Sequence, residues 1–206
     1  MRPSCYFALR LRSSGTPNRP GPTRAQLEAA HGKRVRDVIA PGLRVLFCGI
    51  NPGLYTAAIG HHFGRPGNRF WPALHRAGFT PRLLSPYDER ELLALGLGVT
   101  NIVNYATASA DELDIEQLHR GARRLASLVR RHRPRAVAIL GVGAYRGAFA
   151  RPRAKVGRQE ERIGGAAVWV LPNPSGRTAG YQMPALVRAF RALRTSIDTP
   201  DAQRHP

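Results

Sequence analysis

Lysine is almost absent: Lys33 and Lys155 are the only two, so nearly every positive charge is an arginine. Such a bias, together with abundant Ala, Gly and Pro, fits a GC-rich genome. It does not explain the shortage of acids, 13 against 32 basic residues, which leaves a formal charge of +19. A surplus of that size favours a polyanionic partner, most simply nucleic acid. Cysteine is scarce too. Cys5 and Cys48 lie far apart and form no C-x-x-C, which excludes a Cys-ligated iron–sulfur cluster or a four-cysteine zinc site and fits a reducing, intracellular setting. No apolar run approaches membrane-spanning length. Residues 1–11 hold a short apolar patch broken by Arg10, without the cleavage pattern of a signal peptide. The phosphate-cradling G-x-x-x-x-G-K-[ST] loop, the dinucleotide-binding G-x-G-x-x-G and the G-x-S-x-G nucleophile elbow are all missing.

What is present begins with residues 44–53, Arg-Val-Leu-Phe-Cys-Gly-Ile-Asn-Pro-Gly. The apolar part reads as a buried strand. It breaks into a corner in which Pro52 fixes one φ and pushes Asn51 toward an extended conformation. Further strands are expected at residues 98–104, 136–141 and 167–171. Residues 155–163 read either as an edge strand or as a loop. Between them lie helices. Thr23 caps a short one reaching Ala30, and Asn68 caps another reaching Ala77. A third spans residues 88–95. Asp114 with Gln117 forms a capping box that opens a longer helix to Arg133. A short helix covers residues 144–149, and a closing helix covers 183–193. Residues 54–67, with four breakers and His61-His62-Phe63, read as a loop. Alternating strands and helices predict one α/β domain, a three-layer α/β/α sandwich around a mainly parallel four-stranded sheet. Its expected limits are 23–195, after a basic arm over 1–22 and before a polar tail over 196–206.

Two strands end alike, in Asn51-Pro52-Gly53 and Asn173-Pro174-Ser175-Gly176. In a parallel sheet both corners share the carboxyl edge, where ligands bind. Turns favour Asn and Pro for their own sake, but two such corners on one edge point to a site. Amides and backbone donors suit a neutral planar ligand better than phosphoryl transfer. His61-His62 lacks the further ligands of a metal site, and neither a metal nor a cofactor is expected.

With Gly49-Ile50-Asn51-Pro52-Gly53-Leu54, Gly60-His61-His62-Phe63, Pro66-Gly67-Asn68-Arg69-Phe70-Trp71 and Asn173-Pro174-Ser175-Gly176 in this order, the chain resembles the mismatch-specific uracil/thymine branch of the uracil-DNA glycosylase superfamily. The resemblance runs from about residue 43 to 193. It implies hydrolysis of the N-glycosidic bond of uracil opposite guanine in double-stranded DNA, with thymine or other damaged pyrimidines as further substrates, after the base is flipped into a pocket. By the same resemblance Asn51 orients the attacking water, Phe63 stacks on the base, and Ile50, Thr56, His62, Asn68 and Asn173 surround it. Ser175, Gly176 and Arg177 lead to the wedge that enters the vacated stack. Two departures stand out. Thr56 occupies a place where relatives often carry Ser or a smaller residue near the base C5 edge, and Asn104 occupies a place that is often acidic. No lysine lies at either corner to act as an AP lyase. A monomer is expected, in the bacterial cytoplasm and nucleoid-associated when on DNA. The alternative is a non-catalytic DNA-binding protein of the same fold that recognises extrahelical bases.

Overall fold

The computed structural model describes residues 20–176 and 181–199. Strand β1 (Val45–Gly49) is buried along its whole length and sits between β2 (Leu97–Asn101) and β3 (Ala136–Leu140), parallel to both. β5 (Ala166–Leu171) runs parallel to β3, and β4 (Gly157–Ile163) adds to it antiparallel, giving the order β2-β1-β3-β5-β4. The sheet therefore has five strands rather than four. The stretch 155–163, equally readable as strand or loop, becomes the edge strand. Its alternating exposure and its charged Arg158, Glu160 and Arg162 suit an outer position that does not recruit another strand.

The pleat of β1 sorts the core into two faces. Val45 and Phe47 join a cluster with Phe70 and Leu74 of α3 (Phe70–Arg76) and Phe190 of α6 (Met183–Asp198). Leu46 and Cys48 point the other way, toward Leu125 of α4 (Ile115–His132) and Tyr145 of α5 (Val142–Phe149). This makes three layers. Phe47 meets Phe70 and Phe79 edge-on, with centroids 5.5 and 5.4 Å away, and stacks on Phe190 at 5.8 Å. Burying each such ring stabilises the fold by about 1.5–3 kcal/mol.

Two of the three caps expected from the sequence are made; the third is not, because Arg69 and not Asn68 holds the N-cap position of α3, without a side-chain cap bond. Thr23 and Gln26 close a capping box on α1 (Arg24–Glu28), and Asp114 and Gln117 close another on α4. Several stretches differ from expectation: the strand expected over 98–104 spans Leu97–Asn101, and the first helix ends at Glu28 short of Ala30. Residues 54–59, expected within a loop, form α2 (Leu54–Ile59), ended by Gly60 in the left-handed conformation. The breakers that suggested a loop all lie at or beyond that cap. The closing helix runs to Asp198, five residues past Leu193, because Ile197 packs on the core and Asp198 pairs with Arg44. Residues 86–95 form a 3₁₀ helix (Pro86–Leu95). Among the described residues, no helix is long and apolar enough to cross a membrane.

From β1 the chain crosses to β2 on one side, then returns past β1 to β3 on the other. The strand order reverses between β1 and β3, so a crevice opens at their carboxyl ends.

Candidate active site

A cavity of about 810 Å³ lies at that crevice; its lining includes Ile50, Asn51, Thr56, His62, Phe63 and Asn68, together with Asn101, Thr107, Asp111, Asn173 and Ser175. The volume suits a small organic ligand. The two Asn-Pro corners meet here because β1 and β5 both flank β3. Ile50 and Asn173 each come within 3.7 Å of where a Cβ on Gly141 would stand, just past the end of β3.

Asn51 is held by the segment after β2. Val103 N–H donates to Ile50 O at 2.9 Å, and Thr107 N–H donates to Pro52 O at 3.3 Å. The Thr107 hydroxyl donates to Ser109 O at 2.6 Å, so its oxygen has only lone pairs left for Asn51. The Asn51 atom 2.7 Å away must then be Nδ2, which also donates to Pro52 O. This fixes the amide orientation. Among the described residues Asn51 Oδ1 has no partner and remains an acceptor on the cavity wall.

Phe63 occupies a left-handed conformation, φ 53°, that costs a bulky residue about 1–3 kcal/mol. Its ring stacks on Phe70 with centroids 4.0 Å apart, which covers one face and joins it to the aromatic core. Thr56 Oγ1 accepts from Gly64 N–H at 3.2 Å and clips the following turn in place. Thr56 is itself buried.

Beneath Phe63, the end of β1 permits no side chain. A Cβ on Gly49 would lie 2.5 Å from Asn101 Oδ1 and 3.4 Å from the Phe63 ring. Asn101 is buried and faces His62, with Nδ2 3.3 Å from His62 Nδ1. His62 Nε2 donates to Arg36 O at 3.0 Å, so Nδ1 carries the lone pair that Asn101 donates to. Burial, outweighing the nearby Glu89 carboxylate, holds the His62 pKa below its usual value and keeps the imidazole neutral. Both His62 nitrogens are thus spent inside the protein, although its ring borders the cavity. Glu89, also buried, accepts from His62 N–H at 2.8 Å and pairs with His61 at 2.9 Å.

Asn68 Oδ1 accepts from Phe70 N–H at 2.9 Å in a turn just ahead of Arg69, the N-cap of α3, and this leaves Nδ2 to donate. Asn173 Oδ1 likewise accepts from Ser175 N–H at 2.9 Å. Gly176 passes so close to Gly67 that a Cβ would lie 2.8 Å from the Gly67 carbonyl oxygen. Arg177 lies outside the described residues. Asn104 is half-buried and off the cavity wall. Among the described residues no cluster of three or more His, Cys, Asp or Glu side chains is placed to hold a metal.

Comparison with known families decides what this cavity belongs to. The sequence profile of the uracil DNA glycosylase superfamily matches residues 36–194, well over half of the chain. The chain belongs to the uracil DNA glycosylase superfamily. It is on that ground a DNA glycosylase, a hydrolase that acts on DNA. The matched stretch spans all five strands and every cavity residue named above.

In this superfamily member, three contributors escaped the sequence reading. Asn101 and Thr107 are ordinary strand-end and loop residues until the β1–β2 register puts Asn101 opposite Gly49 and the bridge Gly53–Thr107 forms. The only advance signal for Asn101 was a polar residue near the end of a buried strand. Arg69 lay within the motif of residues 66–71, but nothing in the sequence gave it a role of its own among so many arginines. It reaches from the start of α3 to the second corner, donating to Ser175 O at 2.7 Å and to Tyr181 O.

Proposed function

We propose that the protein is a monofunctional, mismatch-specific uracil-DNA glycosylase that needs no metal or cofactor. It works as a monomer on double-stranded DNA in the bacterial cytoplasm, nucleoid-associated while bound. The observation that carries this reading is the Asn51 amide, which lines the same cavity as Phe63, with its nitrogen tied to Thr107 and its oxygen without a partner among the described residues.

A uracil flipped from the duplex stacks on the face of Phe63 that Phe70 leaves open. Asn51 Oδ1 accepts a hydrogen bond from a water and aims its oxygen at C1′ of the deoxyribose. That oxygen bonds to C1′ as the C1′–N1 bond breaks, and its electron pair leaves with the base. The water proton passes to solvent or to the departing uracil anion, because an amide cannot hold it. Donors around the base stabilise the charge that develops on its carbonyl oxygens. Asn68 Nδ2 is one, freed for this by its oxygen's bond to the Phe70 N–H, and the Ile50 N–H is another. Asn173 Nδ2, freed in the same way, holds the sugar-phosphate or the base near the scissile bond. His62 supports the site by holding Asn101. Ser175 and Gly176 carry the chain to Arg177, which fills the vacated stack and faces the orphaned guanine. Positioning supplies most of the rate, so turnover is slow.

Thr107 is central to this account. Thr107→Val keeps the shape and removes the acceptor, so the Asn51 amide loses its fixed orientation. Single-turnover uracil release should fall about tenfold, the worth of one hydrogen bond of roughly 1.5 kcal/mol. Thr107→Ser should stay near wild type. Equal rates for the valine and serine variants would remove Thr107 from the mechanism.

Thr56 sets the choice between uracil and thymine, because its methyl crowds the C5 edge. A base-release panel of uracil, thymine and ethenocytosine opposite guanine tests the substrate range. Uracil should be released fastest. Thr56→Ser retains the hydroxyl clip on Gly64 while removing the methyl group, and should raise the thymine-to-uracil rate ratio roughly tenfold. An unchanged ratio would mean that thymine is excluded elsewhere.

A further inference from the structure

A second concavity lies on the outer side of β4, away from the Asn51 cavity. It has a volume of about 620 Å³ and is walled by the segment 151–161. Arg153, Lys155 and Arg158 stand exposed around it, and none of the three has an acidic partner among the described residues. Of the two carboxylates that line the groove, Glu161 is already taken. It accepts from Arg151 Nε at 2.7 Å and from the Tyr145 hydroxyl at 2.8 Å. Glu160, exposed on β4, is the one carboxylate of the groove left over.

The groove is braced. Arg146 donates twice to Ala154 O, at 3.0 and 2.8 Å. Gln159 Nε2 donates to both Lys155 O and Gly157 O at 2.9 Å. Ala154 N–H closes a turn onto Arg151 O at 3.0 Å. Lys155, one of only two lysines in the chain, therefore projects from a held backbone.

The position of the groove relative to the cavity is set by the sheet. β4 starts beside the carboxyl end of β5, with Gly157 opposite Val170, three residues before Asn173. The groove thus begins near the edge that carries both Asn-Pro corners and runs along β4 toward Glu161, next to the Arg162–Ala167 pair. Three strand intervals separate β4 from β1. At about 4.8 Å each they span about 14 Å. That is roughly four nucleotide steps at 3.4 Å along one strand of a duplex.

Resting on the function proposed above, we infer that Arg153, Lys155 and Arg158 clamp the phosphate backbone of the same duplex, about four nucleotides from the flipped base and on one flank only. Exposed, spread cations suit a string of phosphates, each contact releasing condensed counterions. They do not make a closed pocket for a single small anion. Because the phosphates carry no sequence information, the clamp sets the register of the duplex over the Asn51 cavity without choosing the bases around it.

The test uses the full chain and a duplex of about twenty base pairs with a central 2′-fluoro-deoxyuridine opposite guanine, which resists cleavage. Affinity is measured from 50 to 200 mM salt for wild type and for the triple variant Arg153→Ala, Lys155→Ala, Arg158→Ala. The slope of log affinity against log salt should become shallower by about 2–3, at roughly 0.9 per lost phosphate contact. The variant Arg153→Lys, Arg158→Lys keeps the charges and should keep the slope. Trimming the duplex to two base pairs on one particular flank should weaken wild type by tenfold or more and barely affect the triple variant. Trimming the other flank should affect both proteins alike. An unchanged slope in the triple variant overturns the clamp, as does trimming that affects both proteins equally on both flanks. So does a slope loss seen on single-stranded RNA and not on the duplex. If wild type releases no uracil from an ordinary G·U duplex, the enzymatic reading fails instead, and the slope and trimming results still decide the groove.

Discussion

Asn51→Ala should lower single-turnover release of uracil from a G·U duplex by about 10²–10³-fold, the usual cost of removing one preorganised polar group from a catalytic site. Affinity for the duplex should change far less, because the stacking ring, the cavity walls and the phosphate contacts all remain. The split matters. An amide that merely shaped the corner would lose affinity and rate together. An amide that aims water is needed only as the glycosidic bond breaks, so its loss appears in the rate at saturating DNA. The corner itself should survive the change. Pro52 still fixes its φ, and the backbone bonds Val103 N–H to Ile50 O and Thr107 N–H to Pro52 O do not involve the Asn51 side chain. A thermal transition within a few degrees of wild type checks this.

Gly49→Ala should be nearly as damaging for a different reason. The added Cβ would stand 2.5 Å from Asn101 Oδ1, closer than any relaxed contact. Asn101 cannot simply swing aside. It is buried, its nitrogen faces His62, and His62 is anchored on the Arg36 carbonyl. Relief must come from moving β1, Asn101 or Phe63 by several tenths of an ångström or more. Misplacements approaching 1 Å in a positioning site cost about 100-fold in rate. Overpacking should cost about 1–3 kcal/mol of stability as well, read as a lower denaturation midpoint. Asn101→Ala removes the clash partner. The double variant should therefore be more stable than the sum of the single changes predicts, a coupling of the kind that residues in contact show. Strict additivity would place the damage elsewhere.

The sequence carried the elements whose signals are local. The buried run 45–49, the Thr23 cap, the Asp114 capping box and the apolar stripe of α6 are each set by neighbours within a turn or two. The carboxyl-edge placement of both Asn-Pro corners followed from parallel strands alone. What escaped depends on distant pairing. Whether 155–163 formed a strand was decided by β5 accepting it as an antiparallel partner. Asn101 acquires significance only through the register that sets it against Gly49, and Thr107 only through its bond to Asn51. His62 looked like a wall residue, and the structure turns both its nitrogens inward. Short helix α2 was hidden by breakers that in fact lie at or after its end. The tie between Phe63 and the aromatic core was likewise beyond a linear reading, because Phe47 and Phe190 come from opposite ends of the domain.

The most direct test measures free uracil and abasic sites together, from a G·U duplex under single-turnover conditions, with wild type and Asn51→Ala. Wild type should release uracil and leave one abasic site per base released without cutting the strand, and Asn51→Ala should do so at least 100-fold more slowly while still binding the duplex. Binding without base release by wild type, or release undiminished in Asn51→Ala, would contradict the account.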